Sequence, residues 1–211
     1  MKKGSKMCLI VAAIFFLFCG SAMAVTYTYN DNTDSWPGYV QAGFDEYGGP
    51  KITSMEITIN DNTNDLMSVV VNLTDRRLFD SLFINTGGAG SFEAWDFYVK
   101  DYWQAGYPKF YAVAAQYDYQ TATEAGHPYP RPDHPVGFDS GITEVANILQ
   151  SVVYNGSAVI YTFNNGIVMQ PGFVVSYTAW CANDVILTPE PMSLLLLGLG
   201  LIGVAGIRRK F

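Results

Sequence analysis

The aromatic residues offer the clearest binding chemistry in this sequence of 211 residues. All 14 tyrosines and all four tryptophans lie outside the N-terminal apolar segment. Aromatic faces stack on pyranose rings, and neighbouring Asp, Asn or Gln side chains bond to sugar hydroxyls. Trp103 and Tyr107 lie beside Gly106 and Pro108, where a loop is expected, and Tyr129 lies in a proline-rich segment. We therefore expect a carbohydrate-binding site at Trp103, Tyr107 and Tyr129.

Oxygen-bearing side chains are concentrated in one short turn, which makes calcium the metal to consider. Asp61, Thr63 and Asp65 have the i, i+2, i+4 spacing of oxygen ligands in calcium loops. The segment departs from an EF-hand loop, because its sixth position lacks glycine and its twelfth is Asn72 rather than Glu. Asn and Asp are also favoured in turns for conformational reasons, so an ordinary turn is the competing interpretation.

The sequence contains no motif of a known catalytic centre. His127 and His134 are its only histidines, and neither lies near a nucleophile motif such as G-x-S-x-G or matches a zinc spacing. The H-E-x-x-H, P-loop and dinucleotide-binding motifs are also absent. A carboxylate pair for glycoside hydrolysis leaves no local pattern, so polysaccharide hydrolysis stays open as an alternative. We expect a protein that is not an enzyme.

Short strands are the elements that must position these side chains. Residues 51–60 alternate, with Ile52 and Ser54 predicted on one side and Met55 and Ile57 on the other. Asn155-Gly156 gives the clearest hairpin signal. The pattern predicts an all-β fold, an antiparallel β-sandwich with jelly-roll-like connectivity. Strands are expected over 25–29, 39–44, 51–60, 66–73, 81–85, 95–100, 110–119, 148–154, 159–163 and 173–180, with Trp95, Phe97 and Tyr98 in packing roles.

One polar segment, residues 120–141, interrupts the strand pattern. It contains both histidines and four prolines, Pro128, Pro130, Pro132 and Pro135. Proline is excluded from helix interiors and central strands, so the segment is predicted to be a long loop. Residues 141–149 are predicted to hold at most a turn or two of helix.

The N-terminus has the order of a signal peptide. Lys2, Lys3 and Lys6 precede an apolar run over residues 8–18, and Ala22 and Ala24 form the A-x-A pattern that signal peptidase reads. We expect a signal helix that is removed after Ala24, so that the mature chain begins at Val25. A retained membrane anchor is the alternative.

The C-terminus combines a rigid polar break, an apolar helix and a basic end. An apolar stretch over residues 194–207 separates the tripeptide Pro189, Glu190, Pro191 from the cluster Arg208, Arg209, Lys210. This order resembles the PEP-CTERM sorting signal of exported proteins in Gram-negative bacteria. The resemblance implies a transient inner-membrane helix at 192–207, processing by exosortase near Pro-Glu-Pro, and release or transfer to the cell surface. An ordinary C-terminal transmembrane anchor is the alternative.

These segments divide the chain into a signal peptide (1–24), a β-sandwich domain (25–187) and a sorting signal (188–211). The domain holds six basic and 18 acidic residues, which gives it a formal net charge of 6 − 18 = −12. Because this charge repels a phosphate backbone, nucleic acid is disfavoured as a partner. Carriers of the sorting signal are often associated with exopolysaccharide and biofilm. We therefore expect an exported surface or matrix protein that binds exopolysaccharide, with a polysaccharide hydrolase and a purely structural biofilm protein as alternatives.

Overall fold

The computed structural model describes residues 24–31, 51–75, 79–87, 94–102, 105–121, 124–125, 135–179 and 184–188. These residues form strands and turns, and none of them lies in a helix. This part of the chain accordingly offers no helix able to span a membrane. The expected signal helix, apart from Ala24, and the expected transmembrane helix at 192–207 lie outside the described residues.

Eleven antiparallel strands form two sheets within the described ranges. The five-stranded sheet has the order β1-β2-β3-β9-β8, and the six-stranded sheet has the order β11-β10-β4-β5-β6-β7. The strands are β1 (Ala24–Asn30), β2 (Ile52–Asn60), β3 (Leu66–Leu73), β4 (Phe79–Asn85), β5 (Phe97–Tyr102), β6 (Lys109–Thr121), β7 (Pro135–Glu144), β8 (Leu149–Tyr154), β9 (Ala158–Phe163), β10 (Val174–Ala179) and β11 (Asp184–Leu187).

The all-β prediction is confirmed, but the expected connectivity is not observed. In a jelly roll, successive strands mostly alternate between the two sheets. Here most successive described strands are neighbours in one sheet, as in β1-β2-β3 and β4-β5-β6-β7. Two long-range pairings, β3 with β9 and β4 with β10, complete the sheets. The expected strand at 39–44 lies outside the described residues.

The segment predicted as a long loop contains strand at both ends. Gln120 and Thr121 belong to β6, and Pro135 is the first residue of β7. Proline is accepted there because a strand's first residue on a sheet edge needs no ladder N–H. The prediction of helix at 141–149 is also wrong. Gly141 has a left-handed φ of 77°, and the chain stays extended to Glu144 before it turns.

Side chains from both sheets form one core. Met55 and Ile57 of β2 and Leu82 of β4 are fully buried in it. The rings of Tyr161 in β9 and Tyr177 in β10 lie 6.3 Å apart across the two sheets. The two sheets therefore pack against each other, as hydrophobic alternation along the strands requires.

A β-bulge explains one departure from the expected alternation. Ile52 was predicted to share a face with Ser54, yet it is buried and packs in the core with Met55. The pairing of β2 with β3 shifts between Ile52 and Ser54. An extra residue at such a bulge turns the next side chain to the other face.

The opposite face of the six-stranded sheet carries a second cluster, which we call the outer cluster. Its buried members are Phe79, Phe83, Trp95, Tyr98, Tyr102, Val136, Phe138 and Val174. Tyr102 donates its hydroxyl to the Val136 carbonyl at 3.0 Å, and Ser81 donates to the same oxygen. Because β7 thereby reaches side chains of β4 and β5, the β6–β7 hairpin folds back over this face. β4 is consequently buried on both of its faces.

Candidate functional site

Of the three aromatic residues predicted to bind sugar, Tyr107 is the one that the structure describes. Tyr107 is half-buried, and its ring centroid lies 5.8 Å from that of Tyr102 in the outer cluster. The Lys100 ammonium lies 5.6 Å from the Tyr107 ring and 4.5 Å from the Tyr102 ring. Tyr107 therefore packs against the fold, whereas Trp103 and Tyr129 lie outside the described residues. Their common site stays a prediction.

Burial controls the ionisation of the groups around Tyr107. It raises the pKa of Tyr102 to about 12, and it raises the pKa of Tyr98 well above the usual value. Burial also lowers the pKa of Lys100, which the nearby Asp139 carboxylate partly offsets. Because low-dielectric surroundings disfavour the charged forms, both tyrosines stay protonated at neutral pH. They act here as packing groups and hydrogen-bond donors, which matches the packing role expected for Tyr98.

Two of the three residues of the predicted calcium site, Thr63 and Asp65, accept hydrogen bonds in the turn between β2 and β3. Asn60 Oδ1 accepts the Asn62 N–H at 2.9 Å, which makes an Asx turn. Thr63 Oγ1 accepts the Asp65 N–H at 3.3 Å, and Asp65 Oδ1 accepts the Gly166 N–H at 3.0 Å. Asp65 is buried, whereas Asp61 and Thr63 are exposed. The geometry thus favours the turn interpretation.

Other acidic groups give no stronger indication of a metal. Among the residues that the structure describes, no group of three or more His, Cys, Asp or Glu side chains could hold an ion. His127 and His134 lie outside this part of the chain. Calcium binding at Asp61, Thr63 and Asp65 stays a prediction.

A wide bulge in β6 creates an opening that sequence reasoning missed. Val113 pairs with Ile142 and Asp118 pairs with Ser140, so residues 114–117 lie between two successive pairs. On β7, Gly141 alone faces these four residues. A Cβ at Gly141 would come within 2.7 Å of the Tyr117 Cα, so only glycine fits this close approach and its left-handed φ. Bulges of this kind redirect side chains and are frequent beside functional sites.

The bulge forms one wall of an open cleft of about 980 Å³, which we call the bulge cleft. Residues 94–96, 113–118 and Ser140 line it. This volume is in the range of small-molecule and saccharide sites. The cleft thus brings together the segment before β5, the bulge of β6 and the middle of β7.

Polar groups lie at the rim of the bulge cleft. The Asp118 carboxylate accepts the Ser140 hydroxyl at 2.8 Å, and both residues are exposed. Gln116 is also exposed. Asp96 differs, because its Oδ2 accepts the Thr86 N–H at 2.7 Å and the Thr86 hydroxyl at 2.6 Å. Asp96 therefore fixes the connection after β4, while Gln116, Asp118 and Ser140 are exposed at the rim.

Aromatic side chains support the wall of the cleft. The Tyr117 ring is partly exposed and meets the Phe138 ring edge-to-face at a centroid distance of 4.8 Å. Trp95 is buried and donates its indole N–H to the Tyr119 hydroxyl at 2.7 Å. Packing of this kind orients Tyr117 before any ligand arrives. The cleft thus combines a fixed aromatic ring with amide, hydroxyl and carboxylate groups.

Some sequence signals for this site existed but were local and weak. Ala114 and Ala115 interrupt a strand that is otherwise rich in bulky residues, and Gly141 interrupts the next strand. Small residues and glycine within strands often mark bulges. Their meaning depends on the pairing of β6 with β7, which the sequence does not reveal.

One comparison with known proteins identifies the C-terminal segment. Residues 187–210 match the PEP-CTERM protein-sorting motif, which confirms the resemblance carried by Pro189, Glu190, Pro191, Arg208, Arg209 and Lys210. The motif implies export, membrane-anchored transit and processing by exosortase. No curated protein and no solved structure matches the chain.

Proposed function

We propose that this exosortase-sorted, exported protein is a non-catalytic binding protein for a neutral exopolysaccharide, which it binds in the bulge cleft. The observation that carries the proposal is that Tyr117 lines one opening together with Gln116, Asp118 and Ser140. An aromatic face stacks on the apolar face of a pyranose ring, and the polar groups pair with its hydroxyls. We further propose that the two sheets form a β-sandwich and that the processed protein resides at the cell surface or in the extracellular matrix.

The charge of the chain supports a neutral polymer over an anionic one. The formal net charge is −7, and two aspartates line the bulge cleft. A polyanion would approach this surface against like-charge repulsion, which lowers both its association rate and its affinity. Neutral sugar chains meet no such barrier, and a carboxylate is a strong acceptor for their hydroxyl groups.

A binding assay with cleft variants tests the proposal. Gln116→Ala and Asp118→Asn each remove one exposed group without disturbing the core. Each should weaken retention of the neutral exopolysaccharide fraction about tenfold, because a hydrogen bond contributes about 1 kcal/mol or somewhat more. Gln150→Ala in β8 and Asp61→Asn in the turn before β3 are matched controls on exposed residues and should bind normally. Equal retention by all five proteins, including the wild type, would refute the proposed site.

Polysaccharide hydrolysis is the second candidate, because Asp96 and Asp118 line the same cleft. A glycosidase needs one carboxyl group as acid and another as base or nucleophile. Asp96 is held by two hydrogen bonds from Thr86, which favours a structural role. Incubation with the retained polymer separates the two functions: binding predicts an unchanged chain length, whereas released sugars that disappear in Asp118→Asn would establish hydrolysis.

A further inference from the structure

The folded domain and the sorting motif share residues. The motif covers residues 187–210, whereas β11 ends at Leu187 and Thr188 is still part of the fold. Pro189 follows directly. The Pro-Glu-Pro element therefore begins one residue after the last residue that the structure holds in the sheet.

Thr188 is held in place by three hydrogen bonds. Its N–H donates to the Val175 carbonyl at 3.0 Å, and its hydroxyl oxygen accepts the Val175 N–H at 3.1 Å. The same hydroxyl lies 3.5 Å from the Phe173 carbonyl, to which it donates. Thr188 is only 3% exposed, and Ile186, two residues earlier, is fully buried in the core between the sheets. The start of the motif is thus fastened to β10.

A protease requires an accessible, extended segment on both sides of the bond it cuts. Residues in a folded sheet become available only when they open locally, and cleavage then follows the population of the open form. β11 has only four residues and pairs with β10 alone in the described structure. As the shortest of the described strands, at an edge of its sheet, β11 can open locally while the rest of the domain stays folded.

We propose that β11 must separate from β10 before the sorting protease can process the tail. The hydrogen bonds of Thr188 set how often this separation occurs, and we call Thr188 the latch. The partner is the membrane protease that the motif implies, and the paired β11 restricts its access to the adjacent Pro-Glu-Pro element. This inference concerns sorting and does not depend on the ligand of the bulge cleft.

Four full-length variants test the latch in cells that contain the protease: the wild type, Thr188→Val, a Gly-Ser-Gly-Ser-Gly-Ser linker inserted between Thr188 and Pro189, and both changes together. Valine keeps the shape of threonine but removes the hydroxyl, which leaves the Val175 N–H without its partner. Pulse-chase measurement of the tail-shortened form should show processing about five- to tenfold faster for Thr188→Val. The linker should also accelerate processing and should abolish the effect of Thr188→Val.

A control variant separates local opening from general destabilisation. Ile57→Val removes one methyl group from the fully buried core position in β2, on the other sheet. It should leave the processing rate unchanged. Equal rates for the wild type, Thr188→Val and the linker variant would overturn the proposal. So would an acceleration by Thr188→Val that persists in the linker variant or is matched by Ile57→Val.

Discussion

Replacing Gly137 by alanine tests whether β7 closes the outer cluster as the structure describes. Gly137 follows Val136, whose carbonyl accepts hydroxyls from Ser81 and Tyr102. A Cβ at Gly137 would collide with the Tyr98 hydroxyl and lie 2.9 Å from the Tyr102 hydroxyl. Both tyrosines are buried in the outer cluster, so neither ring can move aside without disturbing its neighbours.

The expected cost has two parts. Overpacking a tight interior by one methyl group costs about 1–3 kcal/mol. Displacing β7 would also weaken the two hydrogen bonds to the Val136 carbonyl, at about 1 kcal/mol each. We therefore expect Gly137→Ala to lower the free energy of unfolding by roughly 3–5 kcal/mol. Gly106→Ala is the control: among the described residues other than its chain neighbours, no atom lies within 4 Å of the added Cβ, so the expected cost is the strain of its φ of 95°, about 1 kcal/mol.

Denaturant unfolding of Gly137→Ala, Gly106→Ala, Tyr98→Phe and the double variant of Gly137→Ala with Tyr98→Phe measures these changes in the free energy of unfolding. Tyr98→Phe removes the hydroxyl that the new Cβ meets, at the cost of its contact with Ser81 Oγ at 3.2 Å. Alone it should destabilise the protein slightly, whereas in the Gly137→Ala background it should restore part of the lost stability, because the Tyr102 hydroxyl still lies 2.9 Å from the added Cβ. Additive effects of the two changes, or a Gly137→Ala protein as stable as Gly106→Ala, would show that β7 does not pack on Tyr98.

Three further predictions concern ionisation, the turn and export. Because burial raises the pKa of Tyr102 from 10.0 to about 12, the unfolded chain loses this proton first. The resulting stability is present below pH 10 and should fall by roughly 2–3 kcal/mol as the pH rises through 12, with a shallower fall in Tyr102→Phe during alkaline denaturant titrations. Asp65→Ala removes the acceptor of the Gly166 N–H and should lower the free energy of unfolding, measured by thermal unfolding, by about 1–3 kcal/mol. If the turn interpretation holds, this loss should be the same with calcium and with a chelator. N-terminal sequencing of exported protein should begin at Val25, and a chain beginning at Met1 would contradict the expected signal-peptide cleavage.

The local parts of the fold could be read from the sequence. Alternation predicted that Met55 and Ile57 share one face of their strand, and the structure buries both. Asn155-Gly156 forms the predicted hairpin, with Gly156 at a φ of 94° and Asn155 Oδ1 accepting the Ala158 N–H at 2.9 Å. These features depend on neighbours along the chain or on one tight turn. The C-terminal motif could be predicted equally well, because it depends only on residue types and their order along a short segment.

The missed features all depend on contacts between distant residues. Val136 meets Ser81 and Tyr102 only because the β6–β7 hairpin folds back, and no local pattern predicts that contact. The same fold-back explains why a strand that begins at a proline was predicted to be a loop. The bulge cleft was missed for this reason as well, since Asp118 and Ser140 meet through the register of β6 with β7.

The most direct test of the proposed function is an amide chemical-shift map of the protein titrated with a neutral oligosaccharide from the exopolysaccharide. Binding in the bulge cleft predicts saturable shifts at residues 94–96, 113–118 and 140, and none in β1 or β2. Shifts centred on Tyr107 and Tyr129 would move the site to the residues first expected from the sequence. The absence of any shift at saturating sugar would contradict carbohydrate binding itself.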